Sequence, residues 1–308
     1  MLLACLGRCD SRRHGARVLT ESLRDRGMEY PDELRFVTYL SPGIPLAFFE
    51  AVVEHVRLVL GQRVSLLVES RVSGPVKGSG DPFSTGEADV GFMCAPSFLW
   101  LRELEDPPVE LLGVAPVFRD NRASGQPVYF SEVVVKRENP VQSFLGLRGC
   151  SWAYNDPCSL SGYYNLLKKL VEIGEDESFF SQVYCSGSHL NSMEMITRGE
   201  VDAAVIDSNV LQTKLRSSPE LRLRLRVLES WGPFPIQPVV ERSRLHQELK
   251  DRLRISLLTI GSGQHEPSAL AEFGLERFAP VTYEHYASEE QALRECECAT
   301  LIKLTPLL

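Results

Sequence analysis

The sequence predicts an α/β protein folded as two lobes with a cleft between them, and three observations predict it. Short apolar runs alternate with amphipathic helical segments along the chain, the pattern of sheets layered with helices. Two stretches, near 126–132 and 228–238, read as crossings that carry the chain out of one unit and back again, with a hinge at the crossings. The signature Gly-Glu-x-Asp occurs at Gly86-Glu87-Ala88-Asp89 and again at Gly199-Glu200-Val201-Asp202, as one repeated turn in each of two lobes would give. The expected organisation is an N-terminal extension over 1–33, a discontinuous first lobe over 34–127 and 237–308, and a continuous second lobe over 128–236.

The elements follow in order. Residues 34–40 (LRFVTYL) alternate as a strand, and Ser41-Pro42-Gly43 turns the chain. Pro45 opens a helix whose Phe49, Val52, Val53, Val56 and Val59 make one apolar face, and Gly61 stops it. A strand over 63–69 precedes a Gly-, Ser- and Pro-rich stretch, 70–83, expected as an exposed loop. A buried strand over 88–94, a short helix over 97–104 and a strand over 109–117 complete this part. The second lobe opens with a strand over 128–136 and another over 150–154. A helix over about 160–173, a strand over 182–185, a helix over 188–198, a strand over 201–206 and a helix from Asp207 follow. Helices are expected again over 244–260 and near 286–298.

Composition narrows the function. Of 308 residues, 33 are Lys or Arg and 41 are Asp or Glu, a formal net charge of −8. That balance lacks the excess of cations that neutralises phosphate backbones or anionic membranes, so no nucleic-acid partner is expected. No run of about 18 apolar residues occurs, so no membrane insertion is expected. Met1-Leu2-Leu3-Ala4-Cys5 looks like the cleavage end of a lipoprotein signal, but no basic region and apolar stretch precede Cys5. Arg8, Arg12, Arg13, Arg17, Arg24 and Arg26 fit a solvated extension or an amphipathic helix. The eight cysteines need no disulfide role in a chain of this length, and Cys296-Glu297-Cys298 has no second pair at zinc spacing. The expectation is a reduced, cytoplasmic protein with no metal and no cofactor.

The richest chemistry lies in Trp152–Tyr163, where a strand ends, Asn155-Asp156-Pro157 turns, and a helix begins. Free N–H groups and the positive end of the dipole make a helix start an anion site. Ser159 and Ser161 add hydroxyl donors, and Gly162 lets a ligand approach the backbone. The same serines serve equally as plain helix caps, and the spacing leaves both readings open. His189, after Tyr184-Cys185-Ser186-Gly187-Ser188, is placed to donate to an anion or to cap its own helix. Asp207 stands at the far end of a buried strand, facing a ligand crevice or capping the next helix.

These residues carry a resemblance. Asp156-Pro157-x-Ser159-x-Ser161-Gly162-Tyr163, Gly187-Ser188-His189 and the two Gly-Glu-x-Asp turns resemble the phosphate, phosphite and phosphonate solute-binding proteins of bacterial uptake systems. That family has the type II periplasmic-binding-protein fold, and the resemblance spans about 34–286. It implies an oxyanion held between the lobes on the helix start at Ser159–Ser161, with His189 helping to hold it. The departures are Leu160, where the family often has threonine, and Phe98 in Ala95-Pro96-Ser97-Phe98, where it often has tyrosine.

The expected function is non-catalytic binding of a small oxyanion by hinge closure. A micromolar site needs about 8 kcal/mol, which about five charge-assisted hydrogen bonds supply. Ser159, the Leu160 N–H, Ser161, His189, Tyr129 and a first-lobe hydroxyl, Ser41 or Ser97, make such a set, with Asp207 accepting from a protonated or amine-bearing ligand. One alternative is an enzyme using Cys158, beside a helix start that lowers thiol pKa, with His189 as its base. Another is an intracellular ligand-sensing module with a protein partner.

Overall fold

Leu34, Phe36 and Val37 bury the body of β1 (Glu33–Thr38), the first strand of a computed structural model that describes residues 28–39, 43–69, 72–261 and 269–298. Ser41, most of the N-terminal extension, and Cys5 and Cys9 lie outside the described residues. There follow α1 (Leu46–Leu60), β2 (Arg63–Val68), β3 (Val90–Phe92), α2 (Ala95–Arg102), β4 (Val109–Leu111) and β5 (Val114–Phe118). The apolar stripe of α1 is Phe48, Phe49, Val52, Val53 and Val56, and Gly61 ends it in the left-handed conformation at φ 63°. Val59, expected on that stripe, sits in the last turn and is 50 % exposed. The single strand expected over 109–117 is two. Gly113, at φ 79°, breaks the extended run, so β4 and β5 join different sheets.

The chain then forms β6 (Val128–Lys136), β7 (Ser151–Tyr154), a π-helical turn over Leu160–Tyr164 that continues into α3 (Asn165–Glu172), β8 (Gln182–Cys185) and α4 (His189–Arg198). β9 (Ala203–Asp207), α5 (Ser208–Ser217), α6 (Leu221–Arg224) and β10 (Leu225–Pro235) follow. The last elements are β11 (Val239–Arg242), α7 (Gln247–Leu258), β12 (Leu275–Pro280) and α8 (Ala287–Cys298). β11 and β12 were not anticipated, being short and lacking a clear alternation.

One five-stranded sheet runs β2-β1-β3-β11-β4 and the other β10-β6-β9-β7-β8, with β12 and β5 forming a separate pair. β1 pairs in parallel with β2 and β3, and β7 in parallel with β8 and β9. Three apolar clusters form among the described residues. One holds Phe36, Phe49, Val90 and Leu253, a second Val133, Trp152, Leu166 and Phe179, and a third Val134, Ala153, Met193 and Ile206. Leu166, Leu167 and Leu170 bury α3 against the second core, and at about 1.5–3 kcal/mol per buried side chain this packing outweighs any cap.

The repeated Gly-Glu-x-Asp turn does the same structural work twice. Asp89, just before β3, accepts from the Arg35 backbone N–H at 3.0 Å and from Arg35 Nε at 2.8 Å on the neighbouring β1. Asp202, just before β9, accepts from the Ser151 N–H at 2.8 Å and its hydroxyl at 2.7 Å on the neighbouring β7. Each pins the start of one parallel strand to the next. Asp89 is also fully buried and takes a second guanidinium, Arg242 Nη2 at 2.9 Å.

The connections lie side by side. β6 and β10 pair antiparallel as far as Val128 opposite Pro235, and the Ile236 N–H donates to the Pro127 carbonyl at 2.9 Å. Arg122, in the turn before β6, reaches Asp120, Glu132 and Ser230 and lies 4.1 Å over the Phe130 ring. The stretch expected as an exposed loop, 70–83, is otherwise. Ser73, Gly74, Pro75, Asp81 and Phe83 are buried and only its middle is exposed, because its ends pack back onto the first lobe.

Candidate functional site

The parallel strands of both sheets end toward one another, where open α/β layers place their ligands. A cavity of about 390 Å³ opens there, lined by Tyr39, Val72 and Ser73 on one side and Asn155, Asp156 and His189 on the other.

The helix start after β7 follows Asn155 and Asp156 in the chain, but its Ser159 and Ser161 are fully buried and are not among the residues lining the cavity. Ser159 is the N-cap, its Oγ accepting from the Gly162 N–H at 3.0 Å. The capping reading is therefore realised, but a hydroxyl that accepts keeps its own hydrogen to donate. Ser161 Oγ lies 3.4 Å from Ser159 Oγ and 3.0 Å from His189 Nε2. Ser188, not His189, caps α4, accepting from the Asn191 N–H at 3.0 Å, which leaves His189 in the first turn facing Ser161. Three further polar atoms are buried here without a well-formed hydrogen bond. The Tyr129 hydroxyl faces Ser161, His189 Nδ1 lies near the Val205 carbonyl, and Asn155 Oδ1 faces Gly162. Unmet polar atoms at one point, the Asn155 oxygen an acceptor among them, are costly unless something satisfies them.

Burial sets the charge states. It pushes His189 down to about 3, so the ring is neutral. It pushes the Tyr129 hydroxyl well above its ordinary value. It pushes the Asp207 carboxyl up to about 7, against the lowering hydrogen bonds from Gln237, Asn209 and Val210. Asp207 is the N-cap of α5, bonded to the Asn209 N–H at 2.7 Å, and Gln237 Nε2 reaches it at 3.0 Å from the return crossing. Of the other expected residues, Leu160 donates its N–H to Cys94 Sγ at 3.3 Å, and the Ser97 hydroxyl donates to the Pro75 carbonyl at 2.8 Å.

The nucleophile–base pair is not assembled. Burial, then the nearby Asp156, drive the Cys158 thiol up to about 12, and His189 bonds Ser161 instead. A thiol at that value is no thiolate at neutral pH. Among the described residues, no group of three or more His, Cys, Asp or Glu side chains is arranged to hold a metal, and no helix is long and apolar enough to cross a membrane.

Sequence reasoning missed four participants. Asn155 and Asp156 read as turn residues, Ser73 as loop, and Cys94 as part of a buried strand. Asp156 accepts from the Cys158 N–H and Asn155 Nδ2, each at 2.8 Å, and from Ser73 Oγ at 2.5 Å. The Asp-Pro turn before hydroxyl residues was the available signal for Asp156. Nothing local pointed to Ser73 or Cys94.

Gly162 leaves no room for a side chain. A Cβ there would overlap the Asn155 amide oxygen and lie 2.8 Å from Asn155 Cγ and 3.2 Å from His189 Cε1. Gly162→Ala is expected to destabilise by about 1–3 kcal/mol, an ordinary overpacking cost, read as a lower urea midpoint. A midpoint equal to the parent's would mean that Asn155 moves aside freely.

A family model described as the periplasmic substrate-binding protein of phosphonate ABC transporters matches residues 36–286. A curated relative, the phosphonates-binding periplasmic protein of Escherichia coli K12, is 24 % identical over 165 residues, which is 51 % of this chain and 47 % of that protein. The match thus spans about half the length of that relative. A binding-protein component of an ABC phosphonate transporter from Pseudomonas aeruginosa superposes with a TM-score of 0.72 at 17 % identity, covering 87 % of each chain. PhnD1 from Prochlorococcus marinus, in complex with methylphosphonate, gives 0.70 at 16 % identity, covering 87 % of this chain and 99 % of that one. These likenesses give the fold, a two-lobed type II periplasmic-binding-protein architecture with its cleft between the lobes.

Proposed function

The chain belongs to the family of periplasmic substrate-binding proteins of phosphonate ABC transporters, and on that premise we propose that it binds a small phosphonate-class oxyanion, without catalysis, in the cleft between its lobes. What supports this reading is the buried cluster at the start of the α3 helix, where Ser159, Ser161, Tyr129 and His189 gather donors that the protein itself leaves partly unmet. An oxyanion with three oxygens on a tetrahedral centre takes several such donors at once. The neutral ring of His189 has one N–H, and with Nδ1 near the Val205 carbonyl its Nε2 accepts from Ser161. A bound anion would also favour its protonated form.

The division into 34–127 with 237–308 and 128–236, pivoting where β6 and β10 begin and end, is part of the same proposal, as are Ser41 and Ser97 on the first-lobe side. So is delivery of the ligand to a membrane partner of the ABC type. The family is periplasmic by its description, which leaves a cytoplasmic location without support.

A thermal-shift comparison tests the reading with methylphosphonate, aminoethylphosphonate, phosphite, phosphate and sulfate. A ligand at 100 times its dissociation constant adds about 2.7 kcal/mol, on the order of 5 °C for a chain of this size. At least one phosphorus oxyanion is expected to give that shift and sulfate a smaller one. Five unchanged melting temperatures would falsify the proposal.

A further inference from the structure

The two five-stranded sheets have four edges, and three of them are blunted. β4 is three residues long and β8 four. β10 is longer, but its register against β6 shifts twice and Pro233 breaks its row of N–H groups. Short strands, bulges and prolines are the devices by which sheets avoid pairing with another chain.

β2 has none of them. It pairs with β1 through six residues without a shift in register, contains no proline or glycine, and carries one charge, Arg63, at its first position. Among the described residues no strand lies on its outer side. Leu67 and Val68 on this edge are 48 % and 40 % exposed, and Leu58 and Val59, just before it at the end of α1, 65 % and 50 %.

The sequence of β2 fits a particular occupant. Val64 and Leu66 lie on the face packed against the first core, so Arg63, Ser65 and Leu67 lie on the other. An added strand that keeps these faces shifts only in steps of two residues. A second β2, antiparallel about a two-fold axis beside Leu66, sets Leu66 against the partner's Leu66, Val64 against the partner's Val68 and Ser65 against the partner's Leu67. Arg63 then meets the partner's Glu69, once at each end. Glu69 is still in line with the strand, its N–H donating to the Thr38 carbonyl at 2.9 Å. A shift of two residues either way puts Arg63 opposite the partner's Leu67 or past the end of its strand, and both charge pairs are lost.

We propose that the chain dimerises through β2 in this register, joining the first lobes of two copies into one continuous sheet with both α1 helices on the same face. The contact lies on the first lobe alone and is independent of what the cleft binds.

Light scattering on the full chain at high micromolar concentration should give twice the mass of one chain. Leu67→Lys sets an ammonium on the exposed edge, the guard that natural edges use, and Val68→Lys does the same on the other face. Each should give the mass of one chain while circular dichroism shows it folded. Arg63→Glu, which places two carboxylates together at both ends, should raise the dimer dissociation constant about tenfold or more. A parent that is monomeric throughout overturns the proposal, as does a dimer that survives both lysine variants. A monomer whose β2 amides resist hydrogen exchange also overturns it, by showing the edge covered from within the same chain. Dissociation by the lysine variants with none by Arg63→Glu would overturn the register.

Discussion

Replacing Ser159 and Ser161 together by alanine is expected to lower affinity for methylphosphonate by about 3–5 kcal/mol, roughly two to nearly four orders of magnitude, while the protein stays folded. Both hydroxyls lie within the buried cluster that includes His189 and Tyr129, and each is a donor that water cannot replace once the cleft is shut. The structural cost is smaller. Ser159 caps Gly162, and one lost cap is worth about 1 kcal/mol, whereas Leu166, Leu167 and Leu170 hold α3 in place. Isothermal titration beside a urea melt separates the two effects. Parent-like affinity in the double variant would move the site elsewhere. A collapse of stability equal to the loss of affinity would make the serines structural.

Asp89→Ala is expected to cost about 3–5 kcal/mol of stability, the range for breaking a buried ion pair from one side. Its carboxylate takes Arg35 and Arg242, and Arg242 is only 6 % exposed, so removing Asp89 strands a buried guanidinium with Glu29 as its remaining carboxylate partner. Asp202 provides the internal control. It occupies the matching place in the second lobe but bonds a serine at an exposed site, so Asp202→Ala should cost about 1 kcal/mol. Urea denaturation of the pair checks both. Equal losses would show that the shared signature, rather than its surroundings, sets the energy.

That contrast shows how far the residues alone reach. Alternation and breakers located β1, β6, β8 and α4 closely, because local pattern and local structure agree there. The Ser159 cap and the repeated aspartates were visible for the same reason: each acts within a few residues or at a strand start. The guanidinium pair on Asp89 was not, since Arg35 and Arg242 lie 54 residues before it and 153 after it in sequence. The partners of Ser73 and Cys94 were invisible on the same ground, Asp156 and Leu160 being in the other lobe. The split at Gly113 was missed because an apolar run through a glycine reads as continuous until the glycine's φ is known. For the enzyme alternative, adjacency to a helix start argued for an activated thiol at Cys158, and only burial shows the opposite.

The paired crossing strands have a mechanical consequence. Two hydrogen-bonded strands entering the second lobe together form a ribbon that flexes readily across its flat face and resists bending in its own plane. Opening is thereby restricted close to a single degree of freedom, and the lobes return along the path by which they parted. Tyr129 is the second residue of that ribbon, paired with Phe234 on the other strand. It therefore sits close to the proposed pivot, at the end of the cluster nearest the crossing strands. Ser159, Ser161 and His189 belong to the same lobe as Tyr129, so the cluster moves as one body, and in the proposed binding mode closure brings the first lobe to it.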